Sequence, residues 1–162
     1  MSSSYATSMP VTEMPAAAMT ALAPVTAPPG ERSFVPRILV FSTNNISDPG
    51  IDLAGSSRMS YSPGVVVISL PCTSGIRPTW ILHAIERGFD GVFIASDGDE
   101  CAYLADCAKR SARIVDRAQD LLAERGIDYR RIKMAAICSV CAESFTRQIR
   151  EFTASLQSVE VA

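Results

Sequence analysis

The chain has 162 residues and a formal net charge of −2, and 48% of its residues are hydrophobic. This length fits one domain, and the balanced charge offers no basic stripe of the kind that binds nucleic acid. No apolar run reaches the roughly 18 residues that a membrane span needs. Any contact with a membrane is therefore expected to go through a partner.

The first 33 residues differ in composition from the rest of the chain. They are rich in Ala, Pro, Ser, Thr and Met without a period, which predicts a disordered tail because so little apolar surface cannot offset the entropy of ordering. The domain is expected at residues 34–162. The tail lacks the basic and apolar regions of a secretory signal, so we expect a cytoplasmic protein, where cysteines are more often thiols, metal ligands or redox groups than structural bridges.

Four short, mainly apolar runs follow, and they predict strands that are buried on both faces of a parallel sheet. The predicted strands are Ile38–Phe41, Gly64–Leu70, Gly91–Ala95 and Ile132–Ile137. Helical patterns lie between and after them. The predicted helices are Asp52–Met59, Pro78–Arg87, Glu100–Arg125 and Ala142–Gln157.

This alternation predicts an α/β domain with an open parallel four-stranded sheet and helices on both faces. The expected strand order is 2-1-3-4, as in flavodoxin-like folds, and such sheets bind ligands outside the carboxyl ends of their strands. The loops expected at that edge are 42–50, 71–77, 96–100 and 138–141.

Four of the five cysteines fall in these edge loops or at their ends, namely Cys72, Cys101, Cys138 and Cys141. We therefore predict that these four thiols converge at one edge of the sheet and bind a metal or a cluster. The fifth, Cys107, lies six residues after Cys101 in a predicted helix, on a different face. It is interpreted as a small buried apolar residue.

The two-residue gap between Cys138 and Cys141 leaves three interpretations open. Both thiolates can bind one ion or cluster at this spacing. Alternatively, the pair is a dithiol at a helix N-terminus, where the helix dipole lowers the thiol pKa. The third interpretation is two partly buried thiols without a function.

The remaining candidate groups give weaker signals. The single histidine, His83, lies within a predicted helix without a nucleophile motif beside it, so hydrolytic catalysis is not expected. The acidic turn at 96–100 is interpreted as a helix cap, with a hard-cation site as the alternative. The sequence contains no glycine-rich phosphate loop, so a nucleotide site has no support.

Several short motifs between Arg37 and Phe152 match those of one known family. They are Ile51–Met59 followed by Tyr61 and Pro63, Pro71-Cys72-Thr73, Gly88–Phe93, and Asp99-Glu100-Cys101-Ala102-Tyr103. In these motifs the chain resembles the iron–sulfur (delta) subunits of methyl-viologen-reducing hydrogenases.

The resemblance implies an electron-transfer subunit of a multi-subunit redox complex, without catalysis of its own. In that family the subunit carries a 2Fe–2S cluster. It relays electrons between a hydrogenase or dehydrogenase subunit and a flavoprotein subunit resembling heterodisulfide reductase A. These are the cofactor and the partners that we expect.

The chain departs from the family in its cysteine pattern. The first loop reads FSTNNI at 41–46 and has no cysteine, and Ala95-Ser96 replaces a Gly-Cys pair. Of the family's ligand positions, Cys72 and Cys101 remain, so a cluster that also used Cys138 and Cys141 would be relocated.

Geometry limits such a relocated cluster. Since neighbouring strands lie about 4.8 Å apart, the second and fourth strands would be roughly 14 Å apart, and their loops would have to lean inward. Two alternatives therefore stay open beside the relay. One is a scaffold subunit without a cofactor, and the other is a dithiol oxidoreductase that uses Cys138 and Cys141.

Overall fold

A computed structural model describes residues 34–98, 101 and 103–160. The strands are Ile38–Thr43 (β1), Val65–Leu70 (β2), Gly91–Ser96 (β3) and Ile132–Ala136 (β4). The α-helices of the described part are Ser47–Ser56 (α1), Pro78–Glu86 (α2), Cys107–Glu124 (α3) and Ala142–Glu160 (α4). The predicted disordered tail at 1–33 lies outside the described residues.

The four strands form one parallel sheet in the order β2-β1-β3-β4. Ile38 at the start of β1 is in register with Val65 of β2 on one side and with Gly91 of β3 on the other. β1 and β3 are buried along their whole length. The predicted parallel sheet and its strand order are confirmed.

Helices cover both faces of the sheet, as the sequence predicts. Side chains alternate between the faces along a strand, so β1 and β3 contribute to two separate cores. One core contains Ile38, Val40, Phe93 and Ala95 with Ile51 and Ala54 of α1 and Phe145, Ile149, Phe152 and Leu156 of α4. The other contains Leu39, Phe41, Val92 and Ile94 with Ile81, Leu82, Ala84 and Ile85 of α2 and Ala118 and Leu122 of α3.

β2 differs from the prediction of a strand that is buried on both faces. Val66, Val67 and Ile68 are 47%, 36% and 42% exposed. The reason is topological, because β2 lies at an edge of the sheet. A continuous apolar run is therefore fully buried in the central strands β1 and β3, whereas the same pattern is partly exposed in the edge strand β2.

The bounds of the helices agree with the prediction to within three residues, except at the starts of α1 and α3. α2 and α3 end within one residue of their predicted ends, and Gly88 (φ 91°) and Gly126 (φ 68°) follow them in the left-handed conformation that glycine adopts readily. In contrast, α1 begins at Ser47 rather than Asp52, and α3 begins at Cys107 rather than Glu100. Within the described part, no helix is both long and apolar enough to cross a bilayer.

Candidate functional site

Three thiols converge where the loops after β2 and β3 meet the first turn of α3. The Sγ atoms of Cys72, Cys101 and Cys107 all lie within 4.8 Å of one another. The Sγ atoms of Cys72 and Cys107 are 3.3 Å apart, and all three cysteines are free of disulfide bonds. We call these residues the three-cysteine group.

The place of Cys107 in this group contradicts the prediction that it faces away from Cys101. That prediction assumed a helix starting at Glu100, whereas α3 starts at Cys107 itself. Cys101 therefore lies in the irregular segment before the helix and turns back towards its first residue. Burial of Cys107 is confirmed at 1% exposure. The missed signal was Asp106, a residue type that favours the position before a helix.

A short 3-10 turn at Thr73–Gly75 holds Cys72 against the start of α3. The hydroxyls of Thr73 and Ser111 are hydrogen-bonded at 2.9 Å, and Thr73 Oγ1 lies 3.8 Å from Cys107 Sγ. Ser74 Oγ lies 3.0 Å from Cys72 Sγ. Small hydroxyl residues thus connect the loop after β2 with α3 and surround the thiols with polar groups.

Two thiols of the group have pKa values that shift in opposite directions. Burial acts to raise the pKa of Cys72, but hydrogen bonds with the hydroxyl and backbone of Ser74 and with Cys107 and Cys101 outweigh it, so the pKa falls below 9.0. Burial, followed by hydrogen bonds with Cys72 and Cys101, raises the pKa of Cys107 to about 11. Cys72 therefore loses its proton at a lower pH than Cys107 does.

Cys138 and Cys141 form a disulfide between β4 and α4. Cys141 packs against the core that α1 and α4 cover, and Gly50 of α1 lies directly against the Cys138 carbonyl. Cys107 begins α3, which covers the other face of the sheet. The structure therefore groups Cys72 and Cys101 with Cys107, and it does not bring the four predicted ligands together.

The predicted 2Fe–2S cluster requires four protein ligands, usually thiolates. The chain has five cysteines, of which two are bonded to each other and three form the three-cysteine group. The arrangement therefore does not fit a two-iron cluster held by four cysteines of this chain. Three thiols within 4.8 Å of one another fit the coordination of a single ion.

A hydrogen-bond network of hydroxyl and carboxylate groups lies beside the loop where the resemblance leads one to expect cysteines. Thr43 Oγ1 donates a hydrogen bond to Asp97 Oδ1, and both residues are buried. The Thr43 backbone N–H donates to Ser47 Oγ (2.7 Å), which in turn donates to the Ala95 carbonyl (2.8 Å). This network, which the sequence did not suggest, joins the loops after β1 and β3.

The structure also locates two weaker candidates from the sequence analysis, the acidic turn and the single histidine. The acidic turn does not cap α3, since that helix begins at Cys107 with Asp106 before it. Asp97 of this turn instead binds Thr43, and Asp99 and Glu100 lie outside the described residues. His83 is exposed on α2, in agreement with a residue on the helix surface.

A cleft beside α4 lies away from the cysteines. It has a volume of about 390 Å³ and is lined by Val35, Tyr61 and Gln157 among others. Its lining includes the residues that precede β1 and β2, so it opens at the amino-terminal edge of the sheet. The thiol chemistry is at the opposite, carboxyl-terminal edge.

Comparisons with known proteins give a consistent result. A family model described as methyl-viologen-reducing hydrogenase, delta subunit, matches residues 38–160. The iron-sulfur subunit of the F420-non-reducing hydrogenase vhu of Methanocaldococcus jannaschii is 34% identical over 125 residues, which are 76% of this chain and 92% of that protein. The corresponding iron-sulfur subunit of Methanococcus maripaludis is 34% identical over 73% of this chain and 88% of that protein.

Longer proteins contain a similar region. The ferredoxin:CoB-CoM heterodisulfide reductase A protein of Methanosarcina mazei is 32% identical over 142 residues, which are 85% of this chain. A second heterodisulfide reductase A protein, from Methanosarcina acetivorans, is also 32% identical over 142 residues. The chain spans 17% of the length of each of these two relatives.

Proposed function

Since this chain belongs to the family of methyl-viologen-reducing hydrogenase delta subunits, we propose that it is a subunit of a multi-subunit electron-transfer complex. Its proposed partners are a flavoprotein resembling heterodisulfide reductase A and a hydrogenase or dehydrogenase subunit. It has no catalytic activity of its own in this proposal, and it works in the cytoplasm, a compartment that agrees with the three free cysteines of the chain.

One observation carries this proposal. The same domain matches 92% of a separate iron-sulfur subunit of a hydrogenase and 17% of a heterodisulfide reductase A protein in other organisms. A domain that occurs both as a separate protein and within the chain of a larger one is expected to bind the larger one when the two are separate. A protein of the heterodisulfide reductase A type is therefore the proposed direct partner.

Within such a complex, the ligand count favours a scaffold over a relay through a two-iron cluster. The three-cysteine group is one thiolate short of the four that such a cluster takes. Thr43, in the loop that has lost its cysteines, is instead hydrogen-bonded to Ser47 and Asp97. The predicted relay through 2Fe–2S stays a prediction, and the metal content of the complex tests it.

The proposal is tested by purifying the full chain under anaerobic conditions from cells that naturally produce it, with an affinity tag on the chromosomal copy. We expect a flavoprotein resembling heterodisulfide reductase A and a hydrogenase or dehydrogenase subunit to co-purify in stoichiometric amounts. Recovery of the chain alone, at the mass of 17.4 kDa, would contradict the proposed membership of a complex.

The same preparation separates the scaffold from the relay. Iron and acid-labile sulfide are assayed on the chain after it is dissociated from its partners under anaerobic conditions. The scaffold predicts that no sulfide remains with this chain. Two iron ions and two sulfides on each chain, which the composition of a 2Fe–2S cluster requires, would establish the relay instead.

A further inference from the structure

We propose that the three-cysteine group binds a single thiophilic divalent cation, preferably Zn²⁺, through the thiolates of Cys72, Cys101 and Cys107. Zinc binds thiolates at about 2.3 Å in a tetrahedral arrangement, which places neighbouring sulfurs roughly 3.8 Å apart. In the structure one sulfur pair is 3.3 Å apart and all pairs lie within 4.8 Å. Small side-chain rotations bring the three sulfurs to the distances that one ion requires.

The surroundings of the group suit a bound ion with three thiolates. Cys107 is the first residue of α3, a helix of 18 residues, and three thiolates around a dication carry a net charge of −1. The positive end of the helix dipole stabilises that charge. Ser74, Thr73 and Ser111 supply hydroxyls around the sulfurs, and such outer groups orient metal ligands.

Three protein ligands leave one tetrahedral position for another ligand. Cys72 and Cys101 are half-buried rather than fully enclosed, so the fourth position is open to solvent, and we assign it to water in the isolated chain. Zinc sites with three protein ligands keep an exchangeable position of this kind. A partner side chain can take the place of the water, which would make the ion part of an interface.

This inference goes beyond the proposed function and does not depend on it. Zinc has no redox chemistry, so an occupied three-cysteine group organises the loops after β2 and β3 around α3 without carrying electrons. The family's two-iron cluster uses ligand positions that this chain has lost. Cys107 supplies the third thiolate of the mononuclear set.

The test uses the full chain, reduced with a phosphine, freed of metal by a chelator and kept under argon. Zn²⁺ is titrated against a chromophoric chelator, and Co²⁺ is added to a parallel sample. We expect one zinc ion per chain and, with cobalt, the thiolate-to-metal charge-transfer and visible bands of a tetrahedral site with sulfur ligands. An added small thiol should shift these bands by replacing the water.

Variants separate the two cysteine regions. Cys101→Ser, at a half-buried position, should weaken zinc binding by at least about tenfold, since even outer-shell partners contribute about 10–100-fold to metal affinity. Cys107→Ser should do the same, provided that its circular dichroism shows the native fold. The matched control is Cys138→Ser/Cys141→Ser, which should bind zinc and cobalt like the wild type.

Three results would overturn the proposal. The first is an unchanged zinc affinity in Cys101→Ser and Cys107→Ser, and the second is loss of zinc from the control variant. The third is a reduced, folded chain that binds no zinc. All these measurements use the isolated chain. The zinc site can therefore be disproved while the proposed complex still forms, and the complex can be disproved while the chain still binds zinc.

Discussion

The three-cysteine group and the Cys138–Cys141 pair belong to the same edge of one sheet, yet their chemistry differs. The first brings three free thiols to one point beside α3. The second is a disulfide in the loop that leads to α4. Because α3 and α4 cover opposite faces of the sheet, the two loops diverge as they leave it. A shared edge is therefore not sufficient for a shared site.

The largest effect expected from this comparison is the stabilisation of the fold by zinc. At a free concentration about 100 times the dissociation constant, a ligand that binds only the folded chain raises the free energy of unfolding by about 2.7 kcal/mol. We expect this rise for the wild type and for Cys138→Ser/Cys141→Ser, and at the same zinc concentration a rise that is smaller by at least about 1.3 kcal/mol in Cys101→Ser. Urea unfolding under reducing conditions measures it. An equal rise in Cys101→Ser would place the ion elsewhere.

The next effect concerns the loop of the disulfide. A Cβ added at Gly50 of α1 would overlap the Cys138 carbonyl, so Gly50→Ala is expected to destabilise the protein by about 1–3 kcal/mol through overpacking. Zinc affinity should stay unchanged, because the overlap lies on the face away from α3. Thermal and urea unfolding, together with the zinc titration, measure both quantities.

Gly55→Ala is the matched control in the same helix. An added Cβ there meets nothing within 4 Å, so this change should stabilise the protein by about 0.5–1 kcal/mol through the better helix propensity of alanine. If Gly50→Ala and Gly55→Ala changed stability equally, α1 would not be packed against the loop of Cys138.

The smallest effect is a difference in reactivity within the three-cysteine group. In the metal-free reduced chain, iodoacetamide should modify half-buried Cys72 before Cys107, which is 1% exposed. Burial acts against the thiolate at Cys72, but its hydrogen bonds outweigh this and lower its pKa, whereas burial raises the pKa of Cys107 to about 11. Peptide mapping by mass spectrometry at about pH 8 measures the modification rates of Cys72 and Cys107. Equal rates would contradict the difference in burial and pKa between the two thiols.

The raised pKa of Cys107 also predicts a pH dependence of its contribution to stability. Folding favours the protonated thiol, so this contribution is fully present below the ordinary pKa of 9.0 and is lost as the pH rises through about 11. Comparing the unfolding of the wild type with that of Cys107→Ala across this range measures it. A difference that grew with rising pH would have the wrong sign.

The sequence was sufficient for the architecture but not for the grouping of the thiols. Short apolar runs such as Val92–Ala95 are local signals that predicted the strands, and the alternation of strands with helices predicted the strand order. The position of Cys107 depended on where α3 begins, and an error of seven residues moved its thiol to another face. The contact of Thr43 with Asp97 joins two distant loops, and no local pattern encodes it.

X-ray absorption at the zinc edge, recorded on the full chain after loading with one equivalent of Zn²⁺, tests the central claim most directly. The account predicts three sulfur ligands at about 2.3 Å and one lighter ligand, with the same spectrum for Cys138→Ser/Cys141→Ser. A shell made only of nitrogen and oxygen, or a sulfur shell that disappears when Cys138 and Cys141 are replaced, would contradict it.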